Sequence, residues 1–144
     1  MARDSVRSTR KAGLKDGAEY RVLSVHPAWA WAIIFAGKDV ENRSWTTPYR
    51  GPILIHASSK KYSADALDEA RRFIAKCSGI KLAKVPSEFP SSQILGLVEL
   101  HDSVERRSSP WAFRGQQHWL LKNARSQVAL TLATSTGPEN GLTR

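Results

Sequence analysis

Cysteine is nearly absent from this 144-residue sequence, which contains one, Cys77. An internal disulfide and a cluster of thiolate metal ligands are therefore excluded, as is usual for proteins of a reducing cytoplasm. No apolar run approaches the ~18 residues that indicate a membrane-spanning helix, and the first residues lack the apolar stretch of a secretory signal. We expect a cytoplasmic protein with no membrane association.

Several catalytic patterns are also missing. The four histidines, His26, His56, His101 and His118, show no i,i+4 pairing and no clustering with carboxylates, so no metal site is predicted. The sequence has neither a P-loop nor the G-x-S-x-G turn of a serine hydrolase. No cofactor is predicted.

Acidic residues are few compared with basic ones. The 22 Lys and Arg residues outnumber the 13 Asp and Glu residues, which gives a net charge of +9 and a pI of about 10.1. Such an excess favours a polyanionic partner through long-range attraction and counterion release. Solubility alone is the alternative explanation, but nucleic acid or a nucleotide is the favoured one.

The chain is long enough for one domain with a sizeable core, and 41% of its residues are hydrophobic. Residues 1–18 have no hydrophobic period and are predicted to be a flexible basic tail. Residues 19–134 carry the patterned segments and are predicted to be the folded domain. Residues 135–144 are polar and are predicted to be a C-terminal tail.

Hydrophobic patterns within the domain predict two helices and several strands. Pro27 begins a nearly all-apolar helix over 28–36, and Ser63 caps an amphipathic helix that ends near Cys77. Residues 81–92 are rich in Pro and Ser and indicate a loop. Strands are predicted over residues 20–25, 39–45, 53–57, 94–100, 119–121 and 128–132. This order predicts an α+β fold with a mostly antiparallel, curled sheet.

A series of short motifs runs through residues 23–58. They are Leu23-Ser24, Ala28-Trp29-Ala30, Gly37-Lys38, Glu41, Arg43-Ser44-Trp45, Tyr49-Arg50-Gly51 and His56-Ala57-Ser58. In this order they closely resemble the ASCH family, and the resemblance extends over about residues 20–125. The closing segment of the family is not recognisable in residues 126–144.

The resemblance implies a PUA-like pseudobarrel with two main helices, a cleft beside the first helix, and association with RNA. Some small relatives resemble amidohydrolases that act on acetylated cytidine with a lysine, a threonine and a glutamate. The lysine corresponds to Lys38, and Glu99 is the candidate for the glutamate. Glu41 stands where those relatives carry the threonine, which puts the hydrolytic chemistry in doubt.

Lys38 follows the predicted end of the first helix and leaves a structured corner. On a surface its ammonium would contact phosphate, whereas in a dry cleft its pKa would fall and it could act as a nucleophile or base. Glu41 and Arg43 lie two apart on a strand and so share a face. They could form an ion pair that orients the arginine, or divide between a base edge and a phosphate.

Further candidates follow the same strand and the next one. The side chains of Trp45, Tyr49 and Arg50 could stack on a splayed base, or could pack over the mouth of the barrel. His56 could contact a ligand or form a structural hydrogen bond, and Ser58 and Lys60 form a polar strand end suited to phosphate. Glu99 interrupts an apolar strand, so it is either a desolvated acid or a surface group.

The sequence therefore predicts a protein that binds RNA or a modified nucleoside in a basic cleft. The alternative is a small hydrolase, either an amidohydrolase on acetylated cytidine or, less favoured because no acidic cluster offers metal ligands, a ribonuclease. In that case Lys38, Glu41 and Glu99 would be the catalytic residues. A third hypothesis is an accessory protein whose ligand is another macromolecule.

Overall fold

The computed structural model describes residues 5–8 and 19–127. Within them, six strands and two α-helices follow one another along the chain. Their bounds are β1 Ser5–Ser8, β2 Glu19–Val25, α1 Pro27–Phe35, β3 Val40–Arg43, β4 Gly51–Ala57, α2 Ala64–Ser78, β5 Gln93–Val104 and β6 Gln117–Ser126. A short 3₁₀ helix, Leu82–Lys84, lies in the connection from α2 to β5.

The six strands form one sheet in the order β1-β2-β4-β5-β6-β3. Strands β2 and β4 run parallel, with Arg21 opposite Ile53 and Val25 opposite Ala57. The other neighbouring pairs are antiparallel. The sheet is curled into a half-barrel, so the predicted α+β pseudobarrel is confirmed.

Helix α1 occupies the inner face of the sheet. Its sequence, PAWAWAIIF, is apolar on nearly all sides, so burial of one stripe alone would leave apolar surface in water. One side packs on inward-pointing strand residues such as Leu23, Ile55 and Trp119. The opposite side packs on α2, where Phe73 meets Trp29 with ring centroids 5.6 Å apart. The helix is therefore held between the sheet and α2, which fixes the position of both its ends.

Helix α2 begins and ends at the residues that the sequence predicts. The Ser63 hydroxyl accepts a hydrogen bond from the Ala66 amide at 3.1 Å and so satisfies an otherwise unpaired N–H of the first turn. Gly79 follows the last turn. Cys77 is partly buried, its Sγ lies 3.5 Å from the Pro110 carbonyl oxygen, and burial raises the pKa of its thiol.

The structure differs from the predicted element bounds at three places, one of which is β6, which spans Gln117–Ser126 where residues 119–121 were predicted. Residues 5–8 lie in a strand paired with β2, so this part of the segment predicted to be a flexible tail belongs to the sheet. Strand β5 continues four residues beyond the predicted end, because Asp102, Ser103 and Val104 pair with β6. The predicted strand over 128–132 and the predicted tail over 135–144 lie outside the described residues. In the part of the chain that is described, no helix is long and apolar enough to cross a membrane.

Candidate functional site

The turn after α1 holds Lys38 in one place. Gly37 adopts a φ of 73°, which favours glycine because it lacks a Cβ. The chain reverses there, and the Lys38 amide donates to the Ala32 carbonyl oxygen at 3.1 Å. The next residue, Asp39, accepts hydrogen bonds from the Leu121 amide at 2.9 Å and from the Ser109 hydroxyl at 2.8 Å. This corner is therefore tied to α1, to β6 and to the β5–β6 loop.

The Lys38 side chain is buried, with 5% of its surface exposed. Its ammonium donates to the Val40 carbonyl oxygen and lies 3.5 Å from Glu41 Oε1. Burial lowers the pKa of Lys38 because it disfavours the charged form, and the Glu41 carboxylate opposes that shift. Lys38 is thus a buried cation that loses its proton more readily than an exposed lysine.

Glu41 lies between two cations. Its Oε1 faces Lys38, and its Oε2 accepts from Arg43 Nη2 at 3.0 Å. The ion pair predicted from the spacing of Glu41 and Arg43 is therefore present. Arg43 also donates to the Ser24 carbonyl oxygen at 3.2 Å, and its guanidinium lies 5.5 Å from the Trp45 ring. These contacts fix the arginine in one orientation.

Arg43 and Lys38 each have an N–H donor that makes no hydrogen bond within the described residues. The hydrogen bonds of Arg43 to Ser24 and Glu41 both use Nη2, and its Nε is buried without a partner. Lys38 has three N–H donors, of which two are directed at Val40 and Glu41. Arg43 Nε is closed off from solvent, so the donor that a ligand with acceptor atoms could reach is the third N–H of Lys38.

The cluster borders a cleft of about 340 Å³. Its lining comes from the end of β2, the start of α1, the turn between α1 and β3, β3 itself and the β5–β6 loop. The residues are Ser24, Val25, His26, Trp29, Lys38, Glu41, Asn42, Arg43, Phe113 and Gln116. His26 stands at the rim, where partial burial first and then the charge of Lys60 lower the pKa of its imidazole. The described part of the chain contains no group of three or more His, Cys, Asp or Glu residues that could hold a metal ion.

Asn42 connects the two walls of the cleft. Its Nδ2 donates to the Trp111 carbonyl oxygen at 2.9 Å, and its Oδ1 accepts from the Phe113 amide at 2.9 Å. The same oxygen lies 3.0 Å from Nδ1 of His118, which is buried on β6. These bonds hold the β5–β6 loop against β3. Phe113 remains 43% exposed at the mouth of the cleft, with its ring edge against Phe73.

The structure places Trp45, Tyr49 and Arg50 outside the cleft lining. The Trp45 carbonyl oxygen accepts from Trp119 Nε1 at 2.9 Å, and the two rings meet edge to face. Tyr49 donates its hydroxyl to the Pro52 carbonyl oxygen at 2.8 Å. Arg50 donates to the Thr47 carbonyl oxygen at 2.7 Å. Each of the three side chains therefore makes contacts that stabilise the β3–β4 connection.

The position of the Tyr49 side chain explains why residue 51 is glycine. The φ of Gly51 is 138°, and a Cβ at this position would lie 2.8 Å from the Tyr49 hydroxyl oxygen. The Tyr49 side chain thus packs against the backbone of residue 51, where only glycine, which has no Cβ, leaves enough space. The Tyr49-Arg50-Gly51 motif has a structural reason that involves no ligand.

The three candidates at the end of β4, His56, Ser58 and Lys60, have different surroundings. His56 Nδ1 lies 2.8 Å from the Ser24 hydroxyl, as in a structural histidine. The Ser58 amide donates to the Val25 carbonyl oxygen, and its hydroxyl accepts from the Lys60 amide. Lys60 is exposed, lies 5.4 Å from the Tyr62 ring and acts electrostatically on His26. Of the three, Lys60 is the one whose charge reaches the cleft.

Glu99 lies away from Lys38. Strand β5 directs Val98 and Leu100 into the core, and Glu99 alternates with them onto the other face. There its Oε1 accepts from Asn123 Nδ2 at 3.1 Å. Glu99 lines a separate cavity and not the cleft. The structure therefore does not bring together the lysine and glutamate that the resemblance offered as a catalytic pair.

Besides Trp29, six cleft residues were not among the predicted candidates: Ser24, Val25, His26, Asn42, Phe113 and Gln116. Trp29 packs against the core and also lines the cleft, with its ring centroid 6.0 Å from Lys38 Nζ. His26 precedes Pro27 at the start of α1, and this position is the one local signal that could have pointed to it. Asn42, Phe113 and Gln116 come together through contacts that no local pattern reveals.

A curled half-barrel with a helix on its inner face is consistent with a PUA-like pseudobarrel, the superfamily to which the ASCH domain belongs. The ASCH domain model matches residues 23–130, which is most of the chain, and the protein belongs to the ASCH family.

Two curated relatives support this assignment. The chain is 38% identical over 85 residues to Activating signal cointegrator 1 of Homo sapiens and 35% identical over 85 residues to the protein of that name in Mus musculus. The aligned segment is 59% of this chain but 14% of each relative. The similarity therefore concerns one domain of much longer proteins.

Proposed function

We propose that the cleft binds one nucleotide residue of a single-stranded RNA, or a modified nucleoside. The observation that carries this proposal is the buried Lys38–Glu41–Arg43 cluster, which borders a cleft with Trp29 and Phe113 among its lining residues. Membership of the ASCH family and the net charge of +9 support the same class of ligand.

The chemistry of the cleft suits a base. Proteins that read single-stranded RNA stack unpaired bases on aromatic rings and bond their edges with polar groups. Phe113 offers an exposed ring, while the Glu41 carboxylate could accept from a base amino group and Lys38 or Arg43 could donate to a carbonyl oxygen. A volume of about 340 Å³ lies at the small end of ligand sites, as expected for one nucleoside.

A hydrolase is the second candidate, and one observation favours it. Burial lowers the pKa of Lys38, as a lysine nucleophile or base requires. Against it, Glu41 lies 3.5 Å from the ammonium and stabilises the protonated form, and Glu99 lines another cavity. Lys38→Arg separates the two functions, because arginine keeps the charge but cannot give up a proton near neutral pH.

The experiment is a titration of the protein into a fluorescently labelled single-stranded RNA of mixed sequence, with anisotropy as the readout. Phe113→Ala removes the exposed ring at the cleft and should weaken binding about tenfold, since a stacked base contributes about 1–3 kcal/mol. Phe35→Ala is the matched control, because Phe35 is also exposed, at 49%, but does not line the cleft.

Lys38→Arg should retain most of the affinity and should not change a hydrolysis rate, because the proposal includes no hydrolysis. Equal affinities for Phe113→Ala and Phe35→Ala would count against the cleft as the binding site. Deacetylation of an acetylated cytidine by the wild-type protein, lost in Lys38→Arg, would establish the hydrolase instead.

A further inference from the structure

The loop between β5 and β6 lines a second cavity. This cavity measures about 870 Å³, and three arginines, Arg106, Arg107 and Arg114, contribute to its lining. All three side chains are exposed. Glu105 is the acidic residue among the lining residues, so arginines outnumber acids there by three to one. We call Arg106, Arg107 and Arg114 together the arginine loop.

The arginines of the arginine loop differ from other arginines of the fold in forming no ion pair with a described carboxylate. Arg50, Arg72 and Arg43 each form an ion pair with a carboxylate. Within residues 5–8 and 19–127, no ion pair involves any of the three arginines of the loop. Their charge is therefore available to an external anion, and a guanidinium can bond two phosphate oxygens at once.

The arginine loop and the cleft are neighbours with a fixed relation. Gln116 lines both cavities. Asn42 lines the cleft and accepts a hydrogen bond from the Phe113 amide within the same loop. Its Oδ1 also contacts His118, which lines the larger cavity. A ligand that leaves the cleft past Gln116 therefore reaches the arginines.

We propose that the arginine loop binds the phosphates that flank the nucleotide held in the cleft, so that the ligand is a polynucleotide and not a free nucleoside. This inference rests on the proposed function of the cleft and extends it. A mononucleotide occupies one cavity, whereas a strand of several nucleotides can occupy both. An acidic peptide could also pair with the arginines, and its binding is one outcome of the test.

The test compares cytidine 5′-monophosphate with a single-stranded RNA of mixed sequence, about six nucleotides long, which lies within the usual site size of single-strand binders. Calorimetry measures both affinities between about 50 and 200 mM salt. The oligonucleotide should bind at least ten times more tightly than the mononucleotide, and the variant Arg106→Ala/Arg107→Ala/Arg114→Ala should lose most of that advantage.

The salt dependence gives a second readout. Each phosphate contact with a single strand contributes about 0.7 to the slope of log affinity against log salt. Removal of three contacts should make the slope shallower by about two. Lys81→Ala/Lys84→Ala/Lys122→Ala is the matched control, because it removes three exposed charges that line neither cavity. It should change the slope by much less.

The outcomes distinguish this inference from the proposed function. If the arginine variant and the lysine control behave alike, or the oligonucleotide binds no more tightly than the mononucleotide, the arginine loop has no such role although the cleft retains its own. If an acidic peptide of equal charge binds the loop more tightly than RNA, the inference is also wrong. If the arginine variant loses RNA binding but Phe113→Ala does not, the cleft proposal fails. No binding of either RNA probe overturns both.

Discussion

Glu41→Gln removes the carboxylate that lies between the two cations of the cleft. Glu41 contacts Lys38 at 3.5 Å and Arg43 at 3.0 Å, and Glu41 and Lys38 are both more than nine-tenths buried. Without the negative charge, two cations remain close together in a poorly solvated place. Loss of one partner of a buried ion pair costs about 3–5 kcal/mol.

The size of the effect depends on what replaces the lost contacts. The glutamine amide oxygen can still accept one hydrogen bond, so we expect a loss near the lower limit, about 3 kcal/mol of unfolding free energy. Lys38→Met should cost less, about 1 kcal/mol, because Glu41 keeps its pair with Arg43 and the burial cost of the ammonium disappears. The double variant should lose less than the sum of the two single losses.

Urea unfolding followed by tryptophan fluorescence measures these differences. Glu69→Gln is the matched control: Glu69 is exposed on α2, and a substitution there should change stability by about 0.5 kcal/mol or less. Equal losses for Glu41→Gln and Lys38→Met, or strict additivity in the double variant, would refute the reasoning that Glu41 holds two buried cations together.

Two further predictions follow from the same contacts. Burial lowers the pKa of Lys38 from 10.5. At pH values between the folded pKa and 10.5, the unfolded chain therefore binds more protons than the folded chain. The contribution of Lys38 to the unfolding free energy should therefore rise with pH in that window. Urea unfolding of the wild type and of Lys38→Met at several pH values measures this contribution as the difference between their unfolding free energies. A difference that stays constant across the window would contradict the burial argument. Gly51→Ala should lower the unfolding free energy by about 1–3 kcal/mol through its φ of 138° and the contact with the Tyr49 hydroxyl. Tyr49→Phe in the same chain should recover part of this loss in thermal unfolding, and no recovery would show that the hydroxyl contact is not responsible.

Local patterns were sufficient to predict most of the fold. The apolar helix after Pro27, the Ser63 cap and the positions of the central strands were predicted from spacing alone, because hydrophobic periodicity and capping act within a few residues. The continuation of β5 over Asp102 and Ser103 was missed, since these polar residues are in a strand through pairing with Leu120 and Trp119. Such pairing is not encoded by local hydrophobicity.

The residues of the candidate site were harder to predict from the sequence than the fold. Lys38, Glu41 and Arg43 lie within six residues, and the family resemblance together with strand alternation brought them together correctly. Asn42 joins residues about 70 positions away in Trp111, Phe113 and His118, and no sequence periodicity could reveal these contacts. Tyr49 and Arg50 were predicted either to stack on a base or to pack over the barrel mouth. In the structure they bond the backbone of their own turn, and their contact with a ligand stays a prediction. Motif residues can therefore be required by backbone geometry.

The most direct test of the account is an NMR titration of the ¹⁵N-labelled protein with the single-stranded RNA. If the cleft holds a nucleotide, the amide signals that shift most should belong to cleft residues, with Asn42, Phe113 and Gln116 among them. Signals around Glu99 and Asn123, which line the cavity on the other face of β5, should stay in place. Shifts centred on Glu99 and Asn123, with the cleft signals unchanged, would contradict the central claim.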